Sequence, residues 1–554
     1  SRTMRTALSR ISRGYCLGLV MVPTFPGSGP SIKPGALHST RHSPIELGKD
    51  VITVDANDAP CAYQLKGHPG GRLTLQGLRE IQPQLHELTS LAIPFPELRH
   101  VHHRSFLVTN GLVEEEATLA IEQMNAANET DGYPERRLEV IQRGDLLAMA
   151  SRLGHSLWPT EIQQTHLLLE MLVERGDGLY EFERANRMLR AILGLEAGAR
   201  PNWSAAEVRR RITSAAILVS LSLKNYDARQ NHFASISAWV QFSAAAIAAC
   251  ERFQISFERN ARAAVDIALI GIRDALIDLA REALERDPPL VEGDVMLDAA
   301  FYRARYTLVL GLLSLLWFWC EEEGWPDDLA REELEAFLHE GRAQLYLWGE
   351  AAIPQILAYY WFWRRTESGG RVDGLLLQLL TATVETTANK EPKGLPSPYW
   401  SFEDVTRHAL APILGFDQDP MAEETTGRMS FFAESLLHLL VRTNWKQVCR
   451  QVWPDVSRIQ FVEFRPRSRW EYCLSFSEHG RYRQVQPPMR KEWSDLIEEA
   501  RSIRCEQAPE PLIGRPMLHA LFVVLFPYRA SPEVVRTLSR AFNRAWLIPP
   551  PVDA

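Results

Sequence analysis

Between about residues 156 and 450 the apolar residues recur at helical spacing and strand signals vanish. Val265, Leu269, Ile272, Leu276, Leu279 and Ala283 step by four and three, which lines them along one helix face. Asp287-Pro288-Pro289 stops that seam. Stretches 212–223, 233–253, 303–320 and 333–363 follow the same pattern, without a clean fixed-period repeat. The expectation is a large, mainly α-helical region. Its longest apolar run, 306–320, makes about 22 Å of helix, short of the roughly 30 Å hydrocarbon core. Glu321, Glu322 and Glu323 follow at once. A buried core helix is expected there, not a membrane span.

The flanks differ in composition. Arg2, Arg5, Arg10 and Arg13 precede an apolar stretch at 15–22, a pattern superficially like a targeting peptide. The plainer reading is a poorly defined lead-in or the remnant of a first helix, followed by a Gly/Pro-rich stretch at 23–44. From residue 45 to 155 short β-rich runs at 47–54, 61–66, 105–109 and 138–141 alternate with helical patterns at 73–91 and 113–128. Another helix opens after Gly144-Asp145. This predicts an α/β layer with a mixed sheet. From 451 to 554 a β-meander (461–464, 470–476, 482–485) precedes three helices, giving a small α+β segment.

The chain has 554 residues. That is too long for one ordinary domain, and roughly two to four are expected. The divisions expected are a lead-in over 1–44, then 45–155, 156–450 and 451–554. The 61 Lys+Arg against 69 Asp+Glu give −8, which excludes a uniformly basic nucleic-acid coat. Seven scattered cysteines (16, 61, 250, 320, 449, 473, 505) form no CxxC pair. They argue for a reducing, cytoplasmic setting and against a disulfide framework or zinc knuckle.

The stretch that carries chemistry is Gly48-Lys49-Asp50-Val51-Ile52, followed after a hairpin turn by Tyr63-Gln64-Leu65-Lys66-Gly67. Gln64 and Lys66 share one face of a strand because side chains alternate. A neighbouring antiparallel strand can bring Asp50 beside them. A carboxylate, an amide and an ammonium then converge, the parts that phosphodiester hydrolysis requires. Asp50, the Gln64 amide oxygen and the Leu65 carbonyl can hold Mg²⁺ or Mn²⁺. Lys66 can orient a water and offset developing negative charge. Asp55 is a rival ligand, more readily read as the start of the hairpin turn.

These residues resemble the PD-(D/E)xK nuclease superfamily, most closely its Mrr-like restriction endonuclease branch, where glutamine often replaces the acid of the second element. The match is Asp50 within GKD, then Gln64 and Lys66 within YQLKG. A helix, the strand SFLVTNG, a second helix and LEVIQRGDLL follow in the family's order. The resemblance covers about 45–150. It implies a restriction-endonuclease-like domain, a metal-dependent endonuclease acting on DNA, and a setting in restriction or anti-phage defence. The family also carries an acid-bearing helix ahead of the sheet. Here that region is Gly/Pro-rich and Glu46 is the acid at hand. Some superfamily members are inactive, so a nucleic-acid- or partner-binding scaffold and an RNA-cleaving nuclease are the alternatives.

Residues 1–110 carry 12 Lys+Arg against 7 Asp+Glu, and 458–491 hold eight against three. His68, Arg72, Arg465, Arg467, Arg469, Arg481 and Arg483 are therefore candidate nucleic-acid contacts, with Phe461, Phe464, Trp470, Tyr472, Phe476 and Tyr482 interleaved among the second group. The preferred arrangement of that segment nevertheless puts its aromatics in the core and its arginines in water. His68, His100, His102 and His103 read first as a surface loop, then as substrate contacts, and last as metal ligands. Trp317, Trp319, Trp361 and Trp363 are expected in the core. The helical region is expected to serve a protein partner or self-association, and no membrane partner is expected.

Overall fold

A computed structural model describes residues 49–54, 59–67, 71–93, 102–146, 148–149, 162–176, 178, 180–196, 198, 200–285, 299–367, 372–388, 429–442, 445–474, 483–486, 492–501 and 507–543. The chain forms two compact units. The first comprises Ser1–Val173, Met188–Ser222 and Phe253–Ile270, and the second Glu174–Arg187, Leu223–Arg252 and Gly271–Ala554. The N-terminal unit carries a small, mostly parallel sheet, a large helical region follows it, and a second small sheet lies toward the C-terminus.

In the first unit the order is β1 (Val51–Val54), β2 (Pro60–Lys66), β3 (Arg72–Leu73), α1 (Leu75–Ser90), β4 (Arg104–Thr109), β5 (Leu112–Val113), α2 (Glu115–Thr130) and β6 (Leu138–Ile141). The main sheet runs β1-β2-β4-β6. β1 is antiparallel to β2, and β2, β4 and β6 are parallel, so the sheet is mixed as expected. β3 and β5 form a two-stranded parallel patch beyond the strand ends, too short for its sequence to announce.

Alternation along the strands builds two cores. Ala62, Leu107 and Leu138 pack with Leu78, Leu85 and Leu88 of α1 and with Ala117 and Ile121 of α2. The opposite face gathers Cys61, Tyr63, Phe106, Val108 and Ile141, with Leu146 and Met149 against them. Tyr63 and Phe106 stack at 4.8 Å there. Each fully buried leucine contributes about 1.5–3 kcal/mol, so sliding β2 by one residue would send both apolar sets to the wrong faces. The helix predicted over 73–91 starts at Leu75, because the Thr74 hydroxyl accepts the Gly77 N–H at 3.1 Å as an N-cap.

In the second unit α3 (His232–Phe253) is long and apolar enough to cross a membrane by length and composition, and 89% of its apolar window is buried within the protein. α4 (Ala299–Glu323) contains the 306–320 run, which is buried as expected for a core helix. It packs on α5 (Ile353–Thr366), and Trp317, Trp319, Trp361 and Trp363 are all core residues. β7 (Met429–Ser430), α6 (Ala433–Arg442), β8 (Gln460–Phe464), α7 (Arg469–Tyr472), β9 (Arg483–Gln486), α8 (Trp493–Arg501), α9 (Pro516–Leu525) and α10 (Pro532–Phe542) follow. β7 pairs with β8, so a strand pairing runs across the division expected at 450.

The expected meander needs correction. β8 and β9 pair antiparallel, but residues 469–472 form a helical turn, not a strand. Tertiary contacts override the β-prone aromatics. The Tyr472 hydroxyl donates to the Arg529 carbonyl at 3.0 Å and meets His519 Nε2 at 2.9 Å. The fully buried Arg529 guanidinium in turn donates to the carbonyls of Tyr472 and Leu474. Cys61, Cys250, Cys320, Cys449 and Cys473 are buried, and burial pushes the Cys250 thiol up to about 12. Cys16 and Cys505 lie outside the described residues.

Candidate active site

The Asp50 N–H donates to the Tyr63 carbonyl at 2.9 Å, which holds the residue before β1 against β2. The Asp50 side chain meets the strand at Gln64 and Leu65. Its Oδ2 accepts the Gln64 Nε2–H at 2.8 Å and the Leu65 N–H at 2.6 Å. Lys66 follows Gln64 on the same strand face. All three groups lie on the side covered by α1 and α2.

α1 holds Lys49, which precedes Asp50, and Lys66, which follows Gln64 on the same strand face. The Lys66 ammonium donates to Gln84 Oε1. The Lys49 ammonium donates to the Glu87 carbonyl at 3.0 Å. Gln84 and Glu87 are one turn apart on one helix face. Lys49 is only 8% exposed, and burial pulls its ammonium down to about 8, against the opposing attraction of Glu87. Neither Gln84 nor Lys49 carried a role in the sequence reading, because nothing local says which residue of a long helix will reach a strand.

The oxygens here are of the kind a hard cation takes. The Gln64 carboxamide is 4% exposed and its Oε1 has no hydrogen-bond partner among the described residues. Its orientation is set chemically, since the reverse would press an oxygen on the Asp50 carboxylate. N–H and C=O of one strand residue leave the strand on the same edge. The Leu65 carbonyl thus faces the Asp50 edge along with its N–H. Asp50, Gln64 Oε1 and the Leu65 carbonyl are the residues that can hold Mg²⁺ or Mn²⁺. Glu46 and Asp55 lie outside the described residues.

The remaining candidates divide. Arg72 is exposed on β3, and His68 and Arg481 lie outside the described residues. Arg465, Arg467 and Arg469 are exposed, whereas Phe461, Phe464 and Tyr472 are buried, so those three rings offer no stacking platform beside them. Arg465 pairs with Glu463 at 2.8 Å and Arg469 with Glu510 at 3.8 Å. Arg483 opens β9, while Phe476 and Tyr482 are outside the described residues. The surface-loop reading of the histidines fails for His103, which is buried with its Nε2 at 2.8 Å from the Leu88 carbonyl. That bond closes the end of α1, and burial lowers the imidazole's affinity for a second proton. His102 is exposed, and His100 is outside the described residues.

A second cluster escaped the sequence reading, although the i, i+4 spacing of Glu434 and His438 was available to it. Ligand atoms of Glu434, His438 and Glu499 lie within 4.8 Å of one another. The Arg536 guanidinium donates to His438 Nδ1 at 2.8 Å. Arginine can only donate, so the neutral imidazole keeps its proton on Nε2, where a metal would need a lone pair. Nε2 lies 3.5 Å from a Glu499 oxygen. The cluster therefore does not fit a metal while Arg536 is in place.

Comparison with known protein families, with curated proteins and with solved structures finds no match to this chain.

Proposed function

We propose that the chain is a Mg²⁺- or Mn²⁺-dependent endonuclease cutting DNA, with the Asp50–Gln64–Leu65–Lys66 group as its centre. The observation that carries this reading is the Gln64 carboxamide, bonded to Asp50 through its nitrogen while its buried oxygen lacks a partner among the described residues. Asp50, Gln64 and the Leu65 carbonyl would hold the cation. When bound, it would polarise the phosphate and ease deprotonation of a water. Lys66 brings a positive charge to the same face, where it offsets negative charge on the phosphoryl oxygens, and Gln84 aims it. Asp50 also aligns the Leu65 N–H, which fixes the strand end on which the Leu65 carbonyl sits. The order of the following strands and helices fits the PD-(D/E)xK resemblance, and restriction or anti-phage defence is the setting it suggests.

A second reading is a nuclease-like fold that binds nucleic acid or a partner without cutting. It is favoured by the single described carboxylate at the site, with an amide where many such enzymes hold an acid. Incubating purified protein with plasmid DNA and Mg²⁺ or Mn²⁺ separates the two. Cleavage lost in Asp50→Ala and Lys66→Ala supports the enzyme. Metal-independent binding with intact DNA selects the scaffold, and preferential cleavage of single-stranded RNA selects an RNA nuclease.

A further inference from the structure

We propose that Lys49 is a positioning residue for Asp50, tying the chain just before the carboxylate to the last turn of α1. The inference rests on the metal-dependent reading above.

Asp50 is exposed and precedes a strand of only four residues. Strand ends fray readily, and a frayed Asp50 could not keep Oδ2 on both Gln64 and Leu65. Lys49 counters this by burying its ammonium to reach the Glu87 carbonyl. Burying a cation is unfavourable unless it is well compensated. The negative end of a helix dipole supplies part of that compensation.

Capping α1 does not by itself require Lys49. The Glu87 carbonyl already accepts the Leu91 N–H at 3.1 Å. The Leu88 carbonyl meets the His103 ring at 2.8 Å and accepts the Ser105 hydroxyl at 3.3 Å. What Lys49 adds is position. Gln84 holds Lys66 one turn before Glu87 holds Lys49. One rigid helix thus sets the spacing between the ammonium of Lys66 and the carboxylate that follows Lys49.

The test is Mn²⁺ binding to the full chain, followed by calorimetry and by the paramagnetic signal of free Mn²⁺, well below each variant's unfolding temperature. Asp50→Ala defines the site-specific signal. Lys49→Met keeps the stem and removes the bond; about tenfold weaker Mn²⁺ binding is expected, the scale for lost support of a ligand. Lys49→Arg should restore most of it. Ser105→Ala, which loosens the same helix end without adjoining Asp50, should lower stability and leave Mn²⁺ affinity unchanged. If wild type binds Mn²⁺ through Asp50 and Lys49→Met binds equally well, the positioning role is wrong while the metal reading stands. If wild type shows no Asp50-dependent binding, both fall.

Discussion

Gln64 donates to Asp50 Oδ2 at 2.8 Å from a side chain that is 4% exposed, and its own oxygen lacks a hydrogen-bond partner among the described residues. Gln64→Glu replaces a donor with a like charge. Without metal it should destabilise the first unit by about 2–3 kcal/mol, the range for losing a hydrogen bond to a charged group. Mn²⁺ at about a hundred times its dissociation constant returns about 2.7 kcal/mol. Thermal unfolding in chelator and in Mn²⁺ measures both numbers. Equal unfolding temperatures in the two conditions would show that no cation reaches this carboxyl.

Lys66 is expected to act on charge and not to hold the cation. Lys66→Met should reduce plasmid cleavage at least about a hundredfold, as removal of a charge-stabilising group does, while Mn²⁺ affinity stays within about threefold. Cleavage that persists in Lys66→Met assigns the chemistry elsewhere.

The contact of Asp50 with Gln64 was legible because each part of it is local: a hairpin and a two-residue alternation. The shared face follows from strand geometry alone. Gln84, Lys49 and His103 were not legible, since each depends on where α1 crosses the sheet. The helical reading of 306–320 came from its length and apolar run. The strand expected over 470–476 failed because Arg529, more than fifty residues later, draws the carbonyls of Tyr472 and Leu474 into a turn. A pattern that ends within one element can be read from sequence, whereas a contact across the fold cannot.

At Gly311 the backbones of α4 and α5 approach closely. A Cβ there would lie 2.7 Å from the Gln355 carbonyl oxygen and 3.0 Å from its Cα. Alanine improves helix propensity by about 1 kcal/mol, but forcing packed backbones apart costs about 1–3 kcal/mol, and backbone atoms cannot rotate aside. Gly311→Ala should therefore lose about 1 kcal/mol, and at most about 2, by urea unfolding. Gly374→Ala, whose added Cβ meets no atom within 4 Å, should be neutral or stabilising.

Glu350 is buried, with its carboxylate accepting the Ser430 hydroxyl and the Phe431 N–H. Burial raises its pKa from 4.5 to about 7, more than those two bonds lower it. The folded pKa lies above the unfolded one, so the folded state keeps a proton that the unfolded state releases. The associated stability is full below pH 4.5 and is lost as the pH rises through about 7. A rise of that size corresponds to about 3 kcal/mol. Urea midpoints of wild type should fall between pH 5 and 8, and Glu350→Gln should flatten the dependence. A parallel slope in both proteins would remove Glu350 as its source.

Arg536 is the reason the Glu434–His438–Glu499 cluster stays a network of charges. Its guanidinium bridges three helices, donating to His438 Nδ1 on α6 and to the Glu499 carbonyl on α8 from its place on α10. Removing it frees Nδ1 to carry the imidazole proton and Nε2 to act as a ligand beside two carboxylates. Wild type should take up no Zn²⁺ at this cluster, so His438→Gln should leave total Zn²⁺ uptake unchanged in equilibrium dialysis. Arg536→Met should gain Zn²⁺ uptake, and the double variant Arg536→Met/His438→Gln should lose that gain. Circular dichroism at the dialysis temperature establishes that each variant is folded when compared. Zn²⁺ uptake by wild type that disappears in His438→Gln would mean that the ring binds metal with Arg536 displaced, and the tautomer assigned here would be wrong.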